Sequence, residues 1–195
     1  MLRGRLQGYD TQMKPWFPIE TERLLLREFR PGDEGDIQAY AGDSEVVKFM
    51  EWGPNDPATT KAVLANWLKD QERWPRDSVT LGIELKSEIR LIGAIRLTVK
   101  DKLNETADLG YSLNRRYWQK GFATEAARPV LDAAFRHLGL HRVWATCDPA
   151  NHASYRIMEK LGMRREGNFK QDVKQRGEWR DSYFYAVLKE EWLSK

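Results

Sequence analysis

The stretch YWQKGFATEAA, Tyr117 to Ala127, combines residue types that can bind a phosphate group. Gly121 permits a positive φ angle, Ala123 lets a ligand approach the backbone closely, and Lys120 adds a positive charge. A helix that starts near Ala123 or Thr124 would also direct free N–H groups and the positive end of its dipole at the ligand. Taken alone, this short motif favours an ordinary strand-to-helix turn with a solvated lysine.

Several familiar kinds of site are not indicated. The turn lacks the second glycine and following lysine of a P-loop and the three glycines of a dinucleotide fingerprint, which disfavours nucleoside triphosphate chemistry. Cys147 lies in an apolar stretch, which indicates a small buried hydrophobe rather than a nucleophile. His137, His141 and His152 have no metal-binding spacing and no obvious triad partner, so no metal site is predicted.

The elements around the turn alternate between strand and helix patterns, which predicts one mixed α/β domain. Strand patterns cover Glu22 to Phe29, Val79 to Leu85, Arg90 to Val99, Ala107 to Asn114, His141 to Asp148 and Ser182 to Leu188. Helix patterns cover Asp36 to Asp43, Pro57 to Trp74, Ala123 or Thr124 to Leu138, and Asn151 to Gly162. Pro129 predicts a local kink in the third helix, and Gly139 predicts its C-terminal cap.

Length and composition restrict the class of protein. The chain has 195 residues, 41% hydrophobic and 31% charged, which is typical of one globular domain. Its net charge of +3 does not favour a nucleic-acid partner. The single cysteine and the lack of an 18-residue apolar run or apolar leader predict a cytoplasmic protein without a membrane partner. We expect residues 1–18 to form a partly ordered arm and residues 19–195 the domain, as a monomer or a homodimer.

Two stretches, ADLGYSLNRRYWQKGFATEAA and DPANHASYRIMEKLGMRREG, together resemble the GNAT acetyltransferases. The similarity is to the branch that includes the ribosomal-protein N-terminal-alanine acetyltransferases. That branch shows an acidic strand residue before GY, a W-x-K-G-[YF]-A-T-E-A turn and an N-x-x-S helix that ends in EKLGF. The matching residues are Asp108, Gly110, Tyr111, Trp118 to Ala126, Asn151, Ser154 and Glu159 to Gly162.

The resemblance extends from about Ile19 to Trp192 and implies the GNAT fold, an α/β fold with a mixed, mostly antiparallel sheet flanked by helices on both faces. It also implies acetyl-CoA as co-substrate and no metal. The pantetheine arm would lie beside the strand of Asp108, and the pyrophosphate would lie on the turn. The residues implied in backbone contacts to the pyrophosphate are Gln119, Lys120, Gly121, Phe122, Ala123 and Thr124. Those implied in contacts to the arm are Ser112 and Leu113, through their backbone, and the Asn151 side chain.

Acetyl transfer from a thioester to an amine needs a neutral amine, a held carbonyl and a proton for the departing thiolate. Several GNAT enzymes keep a glutamate where this chain has Asp108, so the resemblance implies a general base; a salt-bridged carboxylate is the alternative. The tyrosine that many GNAT enzymes use as the acid is replaced by Met158. The resemblance therefore implies Ser154 as the acid, and a helix-capping serine is the alternative. A backbone N–H near Leu113 would polarise the carbonyl.

The acceptor is less clear from the sequence. Phe49 to Trp52, Trp67 and Trp74 can line the acceptor side or pack in the core. Val173 stands where ribosomal-protein members can place a glutamate, which weakens the transfer of their substrate. A peptide N-terminal amine is the expected acceptor, a small amine such as an antibiotic or polyamine is the alternative, and a non-catalytic acyl-CoA sensor stays open.

Overall fold

The computed structural model describes residues 15–194, and its main element is one eight-stranded sheet. The strands are β1 (Ile19–Glu20), β2 (Leu24–Arg27), β3 (Ser78–Leu85), β4 (Arg90–Asp101), β5 (Thr106–Leu113), β6 (Arg142–Cys147), β7 (Arg164–Gln175) and β8 (Glu178–Leu188). The helices are α1 (Glu34–Ala41), α2 (Pro57–Gln71), α3 (Phe122–Arg136), α4 (His152–Lys160) and α5 (Lys189–Leu193), with a 3₁₀ turn at Arg115–Tyr117. Their alternation confirms the predicted α/β class.

The strand order is β1-β2-β3-β4-β5-β6-β8-β7. All neighbouring strands are antiparallel except β5 and β6, which are parallel. Because a parallel connection needs a long crossover, α3 fits between β5 and β6 and packs on one sheet face. The sheet is therefore mixed and mostly antiparallel, as the resemblance implied.

Helices cover both faces of the sheet, which also confirms the expected architecture. Side chains alternate across β4, so that Ile95 and Leu97 join the core under α3 and α4, whereas Leu91 and Ala94 pack with α1 and α2. The larger core includes Leu131 and Phe135 of α3, both inaccessible to solvent. The smaller core is built around Ile37, Tyr40 and Leu64, and it is the one nearest the cavities described below.

The termini of α3 agree with the sequence pattern. Gly121 precedes α3 with φ 82°, and Gly139 follows it with φ 68°, both in the left-handed region that favours glycine. The helix continues without interruption through Pro129, and the kink there stays a prediction. At the other end of the chain, Trp16 and Phe17 pack against the core, whereas the rest of the expected N-terminal arm, residues 1–14, lies outside the described residues.

The strand β7 has no counterpart among the strand patterns. Nine of its twelve residues are charged or polar and most are exposed, because β7 is an edge strand that pairs only with β8 among the described strands. An edge strand of this kind has no buried face to impose alternating apolar residues. Its pairing also extends β8 back to Glu178, four residues before the predicted start.

Candidate active site

The site is centred on the place where β5 and β6 separate. They pair only at Thr106 with Arg142, Ala107 with Val143 and Asp108 with Trp144. Beyond that point β5 continues beside β4, and β6 continues beside β8. The backbone of residues 109–113 therefore faces a gap on its β6 side. An extended ligand can hydrogen-bond to a strand edge that opens in this way.

The turn before α3 presents backbone rather than side chains to this end of the molecule. Gln119 has φ 60° and Gly121 has φ 82°, so two positive φ angles lie within three residues. Gly121 makes no side-chain cap at the helix start. Phe122 and Ala123 point into the core and are 7% and 6% exposed. The first N–H groups of a helix have no intrahelical partner, so those of α3 can bind an anion, and the predicted pyrophosphate contacts stay a prediction.

The connection between β1 and β2 braces this turn through Thr21 and Arg23. Glu125 accepts hydrogen bonds from the Thr21 hydroxyl at 2.6 Å and from the backbone N and Nε of Arg23 at 2.9 and 2.7 Å. Arg23 also donates to the carbonyl of Lys120 at 3.1 Å and lies over the Phe122 ring. Burial opposes ionisation of Glu125, but these hydrogen bonds outweigh it and lower the pKa of the carboxyl. Glu125 is therefore an anchor of the turn.

Asp108 lies at the point of separation, on the sheet face that α1 and α2 cover. It is 8% exposed, and its Oδ2 accepts a hydrogen bond from Nη2 of Arg96 at 3.0 Å. Its Oδ1 is buried with no hydrogen-bond partner among the described residues, and Nζ of Lys100 is 3.9 Å away. Because buried carboxylate oxygens normally accept hydrogen bonds, Oδ1 can accept one from a ligand. The alternative of a salt-bridged carboxylate is thus present at both oxygens, through Arg96 at Oδ2 and, at the longer distance, through Lys100 at Oδ1.

Ser154 lies on the other side of the separation, in the first turn of α4. Asn151 is the N-cap of this helix and accepts from the Ser154 N–H at 3.2 Å, so the cap is Asn151 and not Ser154. The Tyr111 hydroxyl donates to the Ser154 carbonyl at 3.0 Å and lies 3.4 Å from its Oγ. Met158 is buried in the core, and Tyr155 packs edge-on against Tyr183.

Two side chains beside Ser154 stay protonated near neutral pH. Burial raises the pKa of the Tyr111 phenol. Burial, helped by the charge of Asp148, raises the pKa of the Cys147 thiol to about 11, despite a hydrogen bond with Ser154. The burial predicted for Cys147 is thus confirmed. Tyr111 belongs to the GY motif, but no role was predicted for it, because only the fold brings it to Ser154.

Two connected cavities flank the separation of the strands. The branch cavity, about 240 Å³, is lined by Asp108, Trp144, Cys147, Asn151 and Ser154 and, opposite them, by Phe49 to Trp52 and Val173. The helix-side cavity, about 510 Å³, lies between α1, α2 and the sheet and is lined by Tyr40, Met50, Trp52, Val63, Trp67, Arg96 and Ser112. Both cavities share Met50, Trp52, Arg96, Gly110 and Tyr111. Trp74 lies elsewhere and packs edge-on against Phe17.

The loop between α1 and α2 is held in place by the β7–β8 hairpin. Gln175 is 8% exposed, and its amide donates to the carbonyls of Lys48 at 3.1 Å and Met50 at 2.6 Å. Arg176 donates to the carbonyls of Val47, Lys48 and Gly53 at 2.9, 3.0 and 3.3 Å. We call these two residues the loop clamp. It fixes the wall that the two cavities share, and nothing in the sequence pattern indicates it.

The predicted site residues thus fall into two groups. Asp108, Asn151 and Ser154 line the branch cavity, and Ser112 lines the helix-side cavity. Leu113 and the turn lie at the far end of β5, where the Trp118 indole donates to the Leu113 carbonyl at 2.8 Å. Among the described residues there is no cluster of three or more side chains that could hold a metal ion. In the same part of the chain, no helix is long and apolar enough to cross a membrane.

The family model described as "Acetyltransferase (GNAT) domain" matches residues 23–164. The chain belongs to the GNAT family and is an acetyltransferase, as the motifs predicted. The N-acetyltransferase YnaD of Bacillus subtilis is 41% identical over 175 residues, which cover 89% of this chain and 98% of that protein. A GNAT-family acetyltransferase from Bacillus anthracis has a crystal structure with TM-score 0.78 and 37% identity, over 89% of this chain and 99% of that one.

A further relative matches only part of the chain. The [ribosomal protein uS5]-alanine N-acetyltransferase of Escherichia coli is 31% identical over 84 residues, which cover 43% of each protein. This similarity is consistent with the suspected branch and extends over less than half of the chain.

Proposed function

We propose that the enzyme transfers the acetyl group of acetyl-CoA to a primary amine by direct attack, in a ternary complex and without a covalent enzyme intermediate. The observation that carries this proposal is the separation of β5 from β6 after Asp108, with Asp108 on one sheet face and Ser154 on the other. An acid and a base on opposite sides of one gap suit a reaction that accepts a proton from the amine and returns one to the leaving group.

The described residues fit a coenzyme A molecule along the gap. The backbone at Ser112 and Leu113 would hold the pantetheine arm, with Asn151 at its exit. The turn Gln119 to Thr124 would hold the pyrophosphate through N–H groups at the start of α3. Acetyl-CoA supplies an activated acetyl group as a thioester. A backbone N–H near Leu113 would polarise the carbonyl.

The proposed roles of the two catalytic residues follow from their surroundings. Asp108 accepts no hydrogen bond at Oδ1 from the described residues and would take the proton of the amine there, directly or through water. Ser154 would donate a proton to the leaving sulfur and would regain one from water, while the Tyr111 hydroxyl, which donates to the Ser154 carbonyl, would hold this turn of the helix in position. Cys147 takes no part, because its thiol stays protonated.

We propose a peptide N-terminal amine as the acceptor, as in the E. coli relative whose name states a ribosomal-protein alanine. A small-molecule amine is the second candidate, since Val173, rather than a glutamate, lines the branch cavity. A sensor that binds acyl-CoA without turnover is the third. The single cysteine supports a reducing, cytoplasmic location, and a monomer and a homodimer are both compatible with the site.

An acceptor screen with acetyl-CoA, read by thiol release and intact mass, tests the reaction. Acetylated peptides support the proposal, products from small amines alone favour the second candidate, and coenzyme A binding without any product favours the sensor.

Ser154→Ala tests the acid. General acid catalysis contributes about 10²- to 10⁴-fold, so turnover should fall by at least about tenfold while coenzyme A affinity stays within about twofold. His152→Ala, an exposed position in the same helical turn, is the control. Equal losses of turnover and affinity in Ser154→Ala would indicate a binding or structural role instead.

A further inference from the structure

The wall of the helix-side cavity is mostly aromatic and apolar. Aromatic and apolar side chains from α1, α2 and the intervening loop form most of its wall, including Tyr40, Met50, Trp52, Val63 and Trp67. Trp67 is fixed by stacking on Phe29, with ring centroids 4.3 Å apart and planes 17° from parallel. A cavity of about 510 Å³ falls within the usual range for small-molecule sites. It can therefore receive a large apolar group.

The charges around this cavity disfavour a second positive charge on the substrate, in addition to the reacting amine. Among the described residues that line it, Arg96 is the one charged side chain, and the polar remainder is neutral: Asn55, Thr59, Thr80 and Ser112. An ammonium group placed there would lose its hydration, find no carboxylate and approach a guanidinium.

The branch cavity, unlike the helix-side cavity, is lined by carboxylates. Asp148 accepts from the Ala150 N–H, and Asp181 pairs with Lys170 at 2.7 Å. Glu51 lies on the exposed rim. Oδ1 of Asp108 is a buried acceptor that receives no hydrogen bond among the described residues, with Lys100 Nζ 3.9 Å away, and it can accept one from one amine. The site thus combines one position for an amine, at Asp108, with the large apolar helix-side cavity next to it.

We propose that this enzyme selects a primary amine whose carbon skeleton carries a single aromatic or branched apolar group and no second positive charge. This inference rests on the proposed function. The amine lies at Asp108, and the apolar group fills the helix-side cavity against Trp52, Val63 and Trp67. The shared chemistry has two sources, a peptide that begins with Phe or Leu and a free arylalkylamine.

The test is an acetylation panel of tetrapeptides that begin with Phe, Leu, Ala or Lys, together with 2-phenylethylamine and spermidine. We expect kcat/KM for the Phe and Leu peptides to exceed that for the Ala peptide by at least about tenfold, since one methylene already gives about 10- to 200-fold in an apolar pocket. The Lys peptide and spermidine should rank last. Phenylethylamine against the Phe peptide separates the two sources. A Lys peptide or spermidine that equals or exceeds the Phe peptide overturns the inference and leaves the proposed function intact.

Binding gives a second readout that does not need turnover. With saturating coenzyme A, calorimetry should detect the Phe peptide at concentrations where the Lys peptide is silent. That result without any acetylation would support the inference while the proposed function fails. Equal binding of the two peptides would overturn the inference.

A charge reversal within the cavity sharpens the test. Val63→Glu puts a carboxylate in the wall and should shift the ratio of Lys to Phe peptide by about tenfold or more toward Lys. Ala65→Glu adds the same charge on the exposed face of α2 and should leave the ratio unchanged. If Val63→Glu does not fold, Trp52→Ala, at a residue 42% exposed, should reduce the Phe preference instead. An unchanged ratio in the folded variant overturns the inference.

Discussion

Replacing Gln175 by Leu should weaken acceptor binding without weakening coenzyme A binding. Leucine keeps the volume of this buried side chain and removes both hydrogen bonds that its amide donates to the α1–α2 loop. The loop forms the shared wall of the two cavities, whereas the turn at Gly121 lies beyond the far end of β5. The two substrates should therefore respond differently.

The size of the effect follows from the bonds lost. The Lys48 carbonyl keeps its bond from Arg176 at 3.0 Å, so that loss costs about 1 kcal/mol. The Met50 carbonyl loses its 2.6 Å bond from Gln175, for about 1–3 kcal/mol. A total of about 2–4 kcal/mol shifts the loop equilibrium by at least about 30-fold, and the acceptor KM rises by up to the full shift once open forms dominate.

Steady-state kinetics by thiol release, with each substrate varied in turn, measures the two KM values. Lys174→Leu, at an exposed neighbour in β7, is the matched control and should leave both values unchanged. An acceptor KM within twofold of the wild type, or an equal rise in both KM values, would refute the role of the loop clamp.

Three further predictions concern the turn, the thiol and the anchor of the turn. Saturation with coenzyme A at about 100 times Kd stabilises a binding protein by about 2.7 kcal/mol, and Gly121→Asp should abolish the resulting rise in Tm. Gly139→Asp, with a similar positive φ at the other end of α3, should keep it, and an intact rise in both variants would reject the pyrophosphate site. With a pKa raised from 9.0 to about 11, Cys147 should react with iodoacetamide at pH 8 about 100-fold more slowly than a free cysteine, and labelling at the free rate would contradict its burial. The pKa of Glu125 is lower in the folded protein than its ordinary value of 4.5. The stabilisation from its ionised carboxyl is therefore present above pH 4.5 and is lost as pH falls through the folded pKa. Glu125→Gln should thus flatten the acid limb of the curve of unfolding free energy against pH, and a parallel curve would exclude the brace through Arg23.

The sequence by itself determined the local features of this protein. A glycine at a helix start is read from its neighbours, and Gly121 adopts the predicted positive φ. The strand patterns on both sides of the turn and the burial of Cys147 were likewise predictable, because backbone preference and apolar periodicity act over a few residues. The motifs around Asn151 and Ser154 identified the family, which the family model confirms.

Only the tertiary structure decided which groups meet. It placed Arg96 in hydrogen-bonding distance of one oxygen of Asp108 and left the other without a hydrogen bond from any described residue, and it brought Tyr111 to Ser154 across 43 positions of sequence. The loop clamp joins Gln175 and Arg176 to a loop 123 to 129 positions away. Such contacts depend on the strand order and on the register of β7 with β8, and a mostly exposed edge strand leaves no periodic signal. The proposed donor site therefore follows from local sequence, whereas the cavity proposed for the acceptor is a product of packing between distant elements.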